Sequence, residues 1–228
     1  MNVGKWRPWV SAILVALMCG LLVACNSGGG DKGLSNKNPG ANDLNVVVAF
    51  GDSITQGGEC SCIPYPARLS GMIGKIVYNT GIGGSEAADS VGRTQSAINK
   101  YHPAFMLILY GVNDVIMGHN VNGILGALNE MVLICKQNNV VPVLATYPVP
   151  IAGHKLFAYN TIMLNNGIRT LSEANDIRCV DLEKEFGGEK DPANPDWVVP
   201  NPLLYEPDGL HPNDTGTQLM ALAFADLF

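Results

Sequence analysis

The sequence predicts an α/β fold in which a parallel sheet is covered by helices on both faces, and three observations predict it. Five short runs rich in Val and Ile recur along the chain, stretches with helical spacing separate them, and the runs are continuously apolar instead of alternating. A strand that is apolar at successive positions must be buried on both faces, and the crossovers that join parallel strands supply that cover.

In chain order the strand candidates are Val46 to Phe50, Ile76 to Tyr78, Phe105 to Tyr110, Val141 to Thr146 and Ile177 to Val180. Each is short and mostly apolar, as a buried strand is. The helix candidates between them are Tyr65 to Ile73, Ser85 to Tyr101, Val121 to Gln137 and Phe157 to Ala174, with a last one from Thr215 to Phe228. Strand and helix alternate throughout, so active groups are expected at the carboxyl ends of the strands. The 228 residues suffice for one core-bearing domain, and 47% hydrophobic with 15% charged residues suits a packed core.

Before that domain, Lys5 and Arg7 precede an apolar run from Trp9 to Ala24, which reads as a secretory signal over residues 1–24. The run is short for a membrane span of ~20 residues. It ends in Leu22-Val23-Ala24-Cys25, which resembles the lipobox of bacterial lipoproteins and implies a lipid on Cys25. Asn26 is not the aspartate that retains lipoproteins at the inner membrane, so the expected location is the cell envelope, at the outer membrane, with the domain in the periplasm or at the surface. From Asn26 to Asp43 the chain is mostly Gly, Ser, Asn, Lys and Asp. That composition predicts a flexible tether of about 25 Å, so residues 25–43 are assigned to lipid site and tether and 44–228 to the folded domain.

Removing the signal leaves 12 basic against 20 acidic residues, a formal charge of −8. An acidic chain without basic clusters argues against a nucleic-acid partner. Cys19 leaves with the signal and Cys25 takes the lipid, so Cys60, Cys62, Cys135 and Cys179 remain. Three pairings are open, and Cys60 with Cys62 and Cys135 with Cys179 is the one favoured. Their spacing is poor for zinc, and no metal or other cofactor is expected.

Directly after the first strand comes Gly51-Asp52-Ser53-Ile54-Thr55, which places a serine at the mouth of the sheet. By itself such a serine is more often a helix N-cap. After the second strand, Asn79-Thr80-Gly81-Ile82-Gly83-Gly84-Ser85 can present bare N–H groups to a developing anion. After the third, Gly111-Val112-Asn113-Asp114 offers a side-chain amide. Near the end, Asp208-Gly209-Leu210-His211-Pro212 spaces a carboxylate three residues from an imidazole, and Pro212 keeps His211 out of helical geometry. A serine hydroxyl is a weak nucleophile until a neutral imidazole takes its proton, and a carboxylate must fix that imidazole's tautomer. Asp52 and Asp114 are expected to bond their own turns. His102 and His154 read as surface residues, and His119 is close enough behind Asn113 to line a pocket.

Taken together, these four segments resemble the SGNH hydrolases, also called GDSL esterases and lipases, from about Val46 to the end. The resemblance implies a three-layer, flavodoxin-like α/β fold on a central five-stranded parallel sheet. It implies Ser53 as nucleophile, His211 as base and Asp208 as its orienter, with Gly84, Asn113 and the Ser53 N–H as oxyanion donors. Two positions depart from the family pattern: Ile54 replaces Leu, and Gly83 stands where many members have Ser, which leaves Gly84 and Gly83 as rival donors. The other serine-hydrolase layout, Gly-x-Ser-x-Gly, fails at Thr55. The expected activity is hydrolysis of carboxylic esters, small-molecule, glycan or lipid, with short acyl groups favoured by small size. The alternatives are a non-catalytic lipoprotein binding glycan or lipid in the same cleft, and acyl transfer by the same residues.

Overall fold

The computed structural model describes residues 33–191 and 194–228. Five strands, β1 (Asp43–Gly51), β2 (Ile76–Asn79), β3 (Pro103–Leu109), β4 (Val141–Ala145) and β5 (Arg178–Val180), form one sheet in the order β2-β1-β3-β4-β5. Every neighbouring pair is parallel. β3 is buried along its whole length and β1 from Val46 onward, whereas the edge strand β2 is mostly exposed. The apolar runs Val46 to Phe50 and Phe105 to Tyr110 are therefore buried central strands, as cover on both faces requires, whereas Ile76 to Tyr78, expected to be buried, lies at the open edge of the sheet.

The long helices are α2 (Tyr65–Ile73), α3 (Ala87–Tyr101), α5 (Val121–Gln137), α6 (Ala158–Ala174) and α8 (Asp214–Ala225). α2 packs with α8, and α3, α5 and α6 pack in succession. In the first group Tyr65 stacks on Phe224 with ring centroids 4.9 Å apart. The chain runs outward from β1 to β2 and then crosses back to β3, so the direction of winding changes at the carboxyl ends of β1 and β3, the place where such sheets bind ligands.

Three short helices were not expected: α1 (Ser53–Gln56), α4 (Val112–Ile116) and α7 (Leu182–Phe186). Each is a single turn too short for a periodic pattern. An antiparallel hairpin, β6 (Gly187–Asp191) with β7 (Asn194–Pro200), also appears where no strand was expected.

Two expectations are corrected. Cys135 is a free, fully buried thiol and makes no bridge to Cys179. Its Sγ lies 3.6 Å from Met106 Sδ on β3, whereas Cys179 belongs to β5, with β4 between the two strands. Burial alone pushes the Cys135 thiol up to about 12. Secondly, the end of the expected tether is docked on the domain. Leu34 N–H bonds the Leu227 carbonyl, Asn36 Nδ2 donates to the Ala104 and Asn139 carbonyls at 3.0 and 2.7 Å, and Asn42 Nδ2 reaches the Asn138 carbonyl at 2.8 Å. Polar side chains that read as solvated linker are satisfying carbonyls at the amino ends of β3 and β4. The signal and the Cys25 lipid site lie outside the described residues.

Candidate active site

Strand β1 ends in the core at Gly51, and the chain turns at Asp52 into α1, with Ser53 as its first residue. Ser53 Oγ lies 2.9 Å from His211 Nε2. His211 Nδ1 is 2.5 Å from Asp208 Oδ2, and Asp208 Oδ1 accepts the N–H groups of Leu210 and His211 at 2.9 and 3.1 Å. Partial burial works to raise the Asp208 pKa, but hydrogen bonds from the His211 ring and these two backbone groups outweigh it and hold the carboxyl below its ordinary value. An ionised Asp208 only accepts, so Nδ1 carries the ring proton and Nε2 is left with a lone pair toward Ser53. His211 is only 7% exposed, which restricts both ring and proton to that arrangement.

The Asp208–His211 turn is fixed from outside. Glu206 N–H bonds the His211 carbonyl at 2.8 Å, and Ile151 N–H bonds the Gly209 carbonyl at 2.8 Å. His154 Nδ1 contacts the Asp208 carbonyl at 2.8 Å, so it braces this turn and is not the plain surface residue expected. Gly209 has φ of +71°, and a Cβ there would collide with the Ile151 carbonyl. Gly209→Ala is expected to cost about 1–3 kcal/mol of stability from backbone strain alone, with a further loss of turnover as the turn shifts. Urea denaturation beside kcat measures both, and an unchanged midpoint would mean that the turn relaxes freely.

The segments after β2 and β3 are cross-linked. Asn113 Nδ2 donates to the Ser85 carbonyl at 3.0 Å, both Asp114 oxygens accept Ala87 N–H at 3.1 and 2.9 Å, and His119 Nε2 meets Glu86 Oε2 at 2.6 Å. Asp114 thus caps the start of α3 as well as bonding its own backbone, and His119 braces the neighbouring loop. One proton of the Asn113 amide remains for a ligand. Gly83 N–H donates to Gln56 Oε1 at 2.9 Å, whereas Gly84 N–H makes no hydrogen bond among the described residues. Between these two glycines, Gly84 is the open donor.

The rim loop after α1 carries a Cys60–Cys62 disulfide. It stays close to the serine, with Gly58 N–H on the Ser53 carbonyl at 3.0 Å.

Beneath Ser53 lies a group that the sequence reading underrated. Asp52 caps its own turn through Ile54 N–H at 2.9 Å, as expected, but its other oxygen accepts the Tyr147 hydroxyl at 2.6 Å. Tyr147 is pinned by Asn165, which accepts its N–H at 2.8 Å and donates to its carbonyl at 2.9 Å. The position of Tyr147 just past β4 was the available signal, yet Tyr147-Pro148-Val149-Pro150 reads as an ordinary loop.

Full burial lifts the Asp52 carboxyl from an ordinary 3.8 to about 6, against the pull of Tyr147, Ile54 N–H and the nearby His211. The folded protein therefore binds a proton here more tightly than the unfolded chain. The resulting stability is present below pH 3.8 and is lost as pH rises through about 6. Asp52→Asn, which cannot titrate, should gain on the wild type over that window by on the order of 3 kcal/mol. Urea midpoints of both proteins at pH 4 and pH 7 test this, and a constant difference between the two would rule it out.

Residues 49–219 match the family model described as GDSL-like lipase/acylhydrolase. Among solved structures, a protein assigned to the lipolytic G-D-S-L family from Desulfitobacterium hafniense superposes with a TM-score of 0.67 at 22% identity, over 81% of this chain and 99% of that one. A GDSL-like lipase from Bacteroides thetaiotaomicron gives 0.65 at 21%, over 79% and 85%. A catalytic mutant of an acetylxylan esterase from Geobacillus stearothermophilus gives 0.64 at 20%, over 78% and 91%. No curated protein matches the chain in sequence.

Proposed function

The chain belongs to the GDSL-like lipase/acylhydrolase family, and on that premise we propose that it is a serine esterase cleaving carboxylic esters of short acyl groups through an acyl-enzyme. The observation that carries this reading is the unbroken relay from Ser53 Oγ to His211 at 2.9 Å and on to Asp208 at 2.5 Å. Ser53 Oγ attacks the ester carbonyl while Nε2 takes its proton, and the imidazolium then protonates the departing alcohol. Water repeats the sequence on the acyl-enzyme and releases the acid. The Ser53 and Gly84 N–H groups and the Asn113 amide receive the oxyanion at each tetrahedral stage.

Hydrolysis of p-nitrophenyl esters of increasing chain length tests both parts. Turnover is expected to be highest at acetate. Rates that rise with chain length would remove the short-acyl preference, and no turnover at any length would remove the esterase reading. Asn113→Ala should lower kcat by about a hundred- to a thousandfold, the usual effect of removing one oxyanion donor. An unchanged kcat would take Asn113 out of the mechanism.

We also propose that the enzyme is exported and held at the cell envelope by a lipid on Cys25. The support is the basic start, the apolar run to Ala24 and the Leu22-Val23-Ala24-Cys25 sequence.

A further inference from the structure

The docked segment before β1 bears on which esters a lipid-anchored form reaches. Its bonds are made at one end of the sheet: Leu34 to Leu227 at the chain's close, Asn36 to Ala104 at the start of β3, Asn42 to Asn138 just before β4, and Asp43 N–H to the His102 carbonyl at 2.7 Å. Ser53, Gly84 and Asn113 follow the carboxyl ends of β1, β2 and β3, at the opposite end. In an all-parallel sheet the two ends are separated by the strand length. The nine residues of β1 span about 30 Å.

The chain enters the docked segment at Gly33, eight residues after Cys25. Whatever their conformation, eight residues reach at most about 29 Å. To lay the serine against the anchoring bilayer, those residues would have to climb the full height of the domain and the rim loops beyond it. Their reach does not allow that.

Resting on the lipid-anchor reading, we infer that the anchored enzyme holds Ser53 facing away from its own membrane, and that its substrates are esters on soluble molecules or polymers beyond that membrane, not acyl lipids of the leaflet that carries it. Docking of residues 34–43 sets the orientation, because the same chain undocked from Asn26 to Asp43 would be long enough to turn the domain over.

The test uses the full chain, lipidated in vivo and reconstituted into vesicles, beside a form with about thirty Gly/Ser residues inserted after Asn26, enough to span the domain as a random coil. The probe is an acetylated umbelliferone, either free or joined by a short spacer to a phospholipid head group in the same vesicles, which are diluted until encounters between vesicles are negligible. Both forms should hydrolyse the free ester equally, and the extended form should cleave the membrane-borne ester at least tenfold faster. Equal cleavage of the membrane-borne ester by both forms would overturn the inference while leaving the esterase reading intact. Failure of the protein to float with the vesicles overturns it at its premise, and failure of both forms on the free ester defeats the esterase reading and this inference together.

Discussion

Replacing Ser53 with alanine is expected to lower kcat for p-nitrophenyl acetate by about a millionfold, to the level that binding and oxyanion stabilisation support without a nucleophile. The size follows from the relay acting as a unit: with Oγ gone, His211 has no proton to take, and its orientation by Asp208 no longer serves an attack. The fold should be untouched, since among the described side chains Oγ hydrogen-bonds only His211. Steady-state kinetics beside a thermal melt separates the two effects. Loss of the pre-steady-state burst should accompany loss of turnover, and a variant retaining more than about one part in a thousand of its activity would point to a different nucleophile.

Asp208→Asn should lower kcat by about ten-thousandfold, the penalty for holding the base in the wrong tautomer. The variant keeps an oxygen to accept the Leu210 and His211 N–H groups, so the turn survives. Its amide nitrogen then faces Nδ1 as a donor, which drives the ring proton to Nε2 and turns it against the Ser53 hydroxyl. NMR of the imidazole protons with kcat measured in parallel checks this. A variant that loses activity with the proton still on Nδ1 would shift the role of Asp208 from tautomer control to charge.

The central strands were legible because burial on both faces demands continuous apolar runs, and Phe105 to Tyr110 admits few other readings; the edge strand β2 was found from its apolar residues although it is mostly exposed. The four segments bearing Ser53, Gly84, Asn113 and Asp208 with His211 were legible because each stands beside a strand end or a Pro-marked turn. What escaped depends on partners distant in sequence. The Tyr147 hydroxyl is 95 residues from Asp52, and Asn36 finds its acceptor 103 residues away at Asn139. Nothing local distinguishes a tyrosine in a Tyr-Pro loop from one holding a carboxylate, or an asparagine in a linker from one sealing a sheet end. The expected Cys135–Cys179 bridge failed for the same reason, since oxidising surroundings permit a bond but only the strand order decides which sulfurs meet.

The loops after β2 and β3 are joined at Ser85, Glu86 and Ala87, and Gln56, one turn along α1 from Ser53, holds Gly83 in the same body. The groups proposed to receive the oxyanion are therefore ordered during folding, before any substrate arrives. Substrate then meets a finished template, so binding energy is not diverted to arranging loops, and association should follow a single kinetic phase whose temperature dependence is that of diffusion and desolvation.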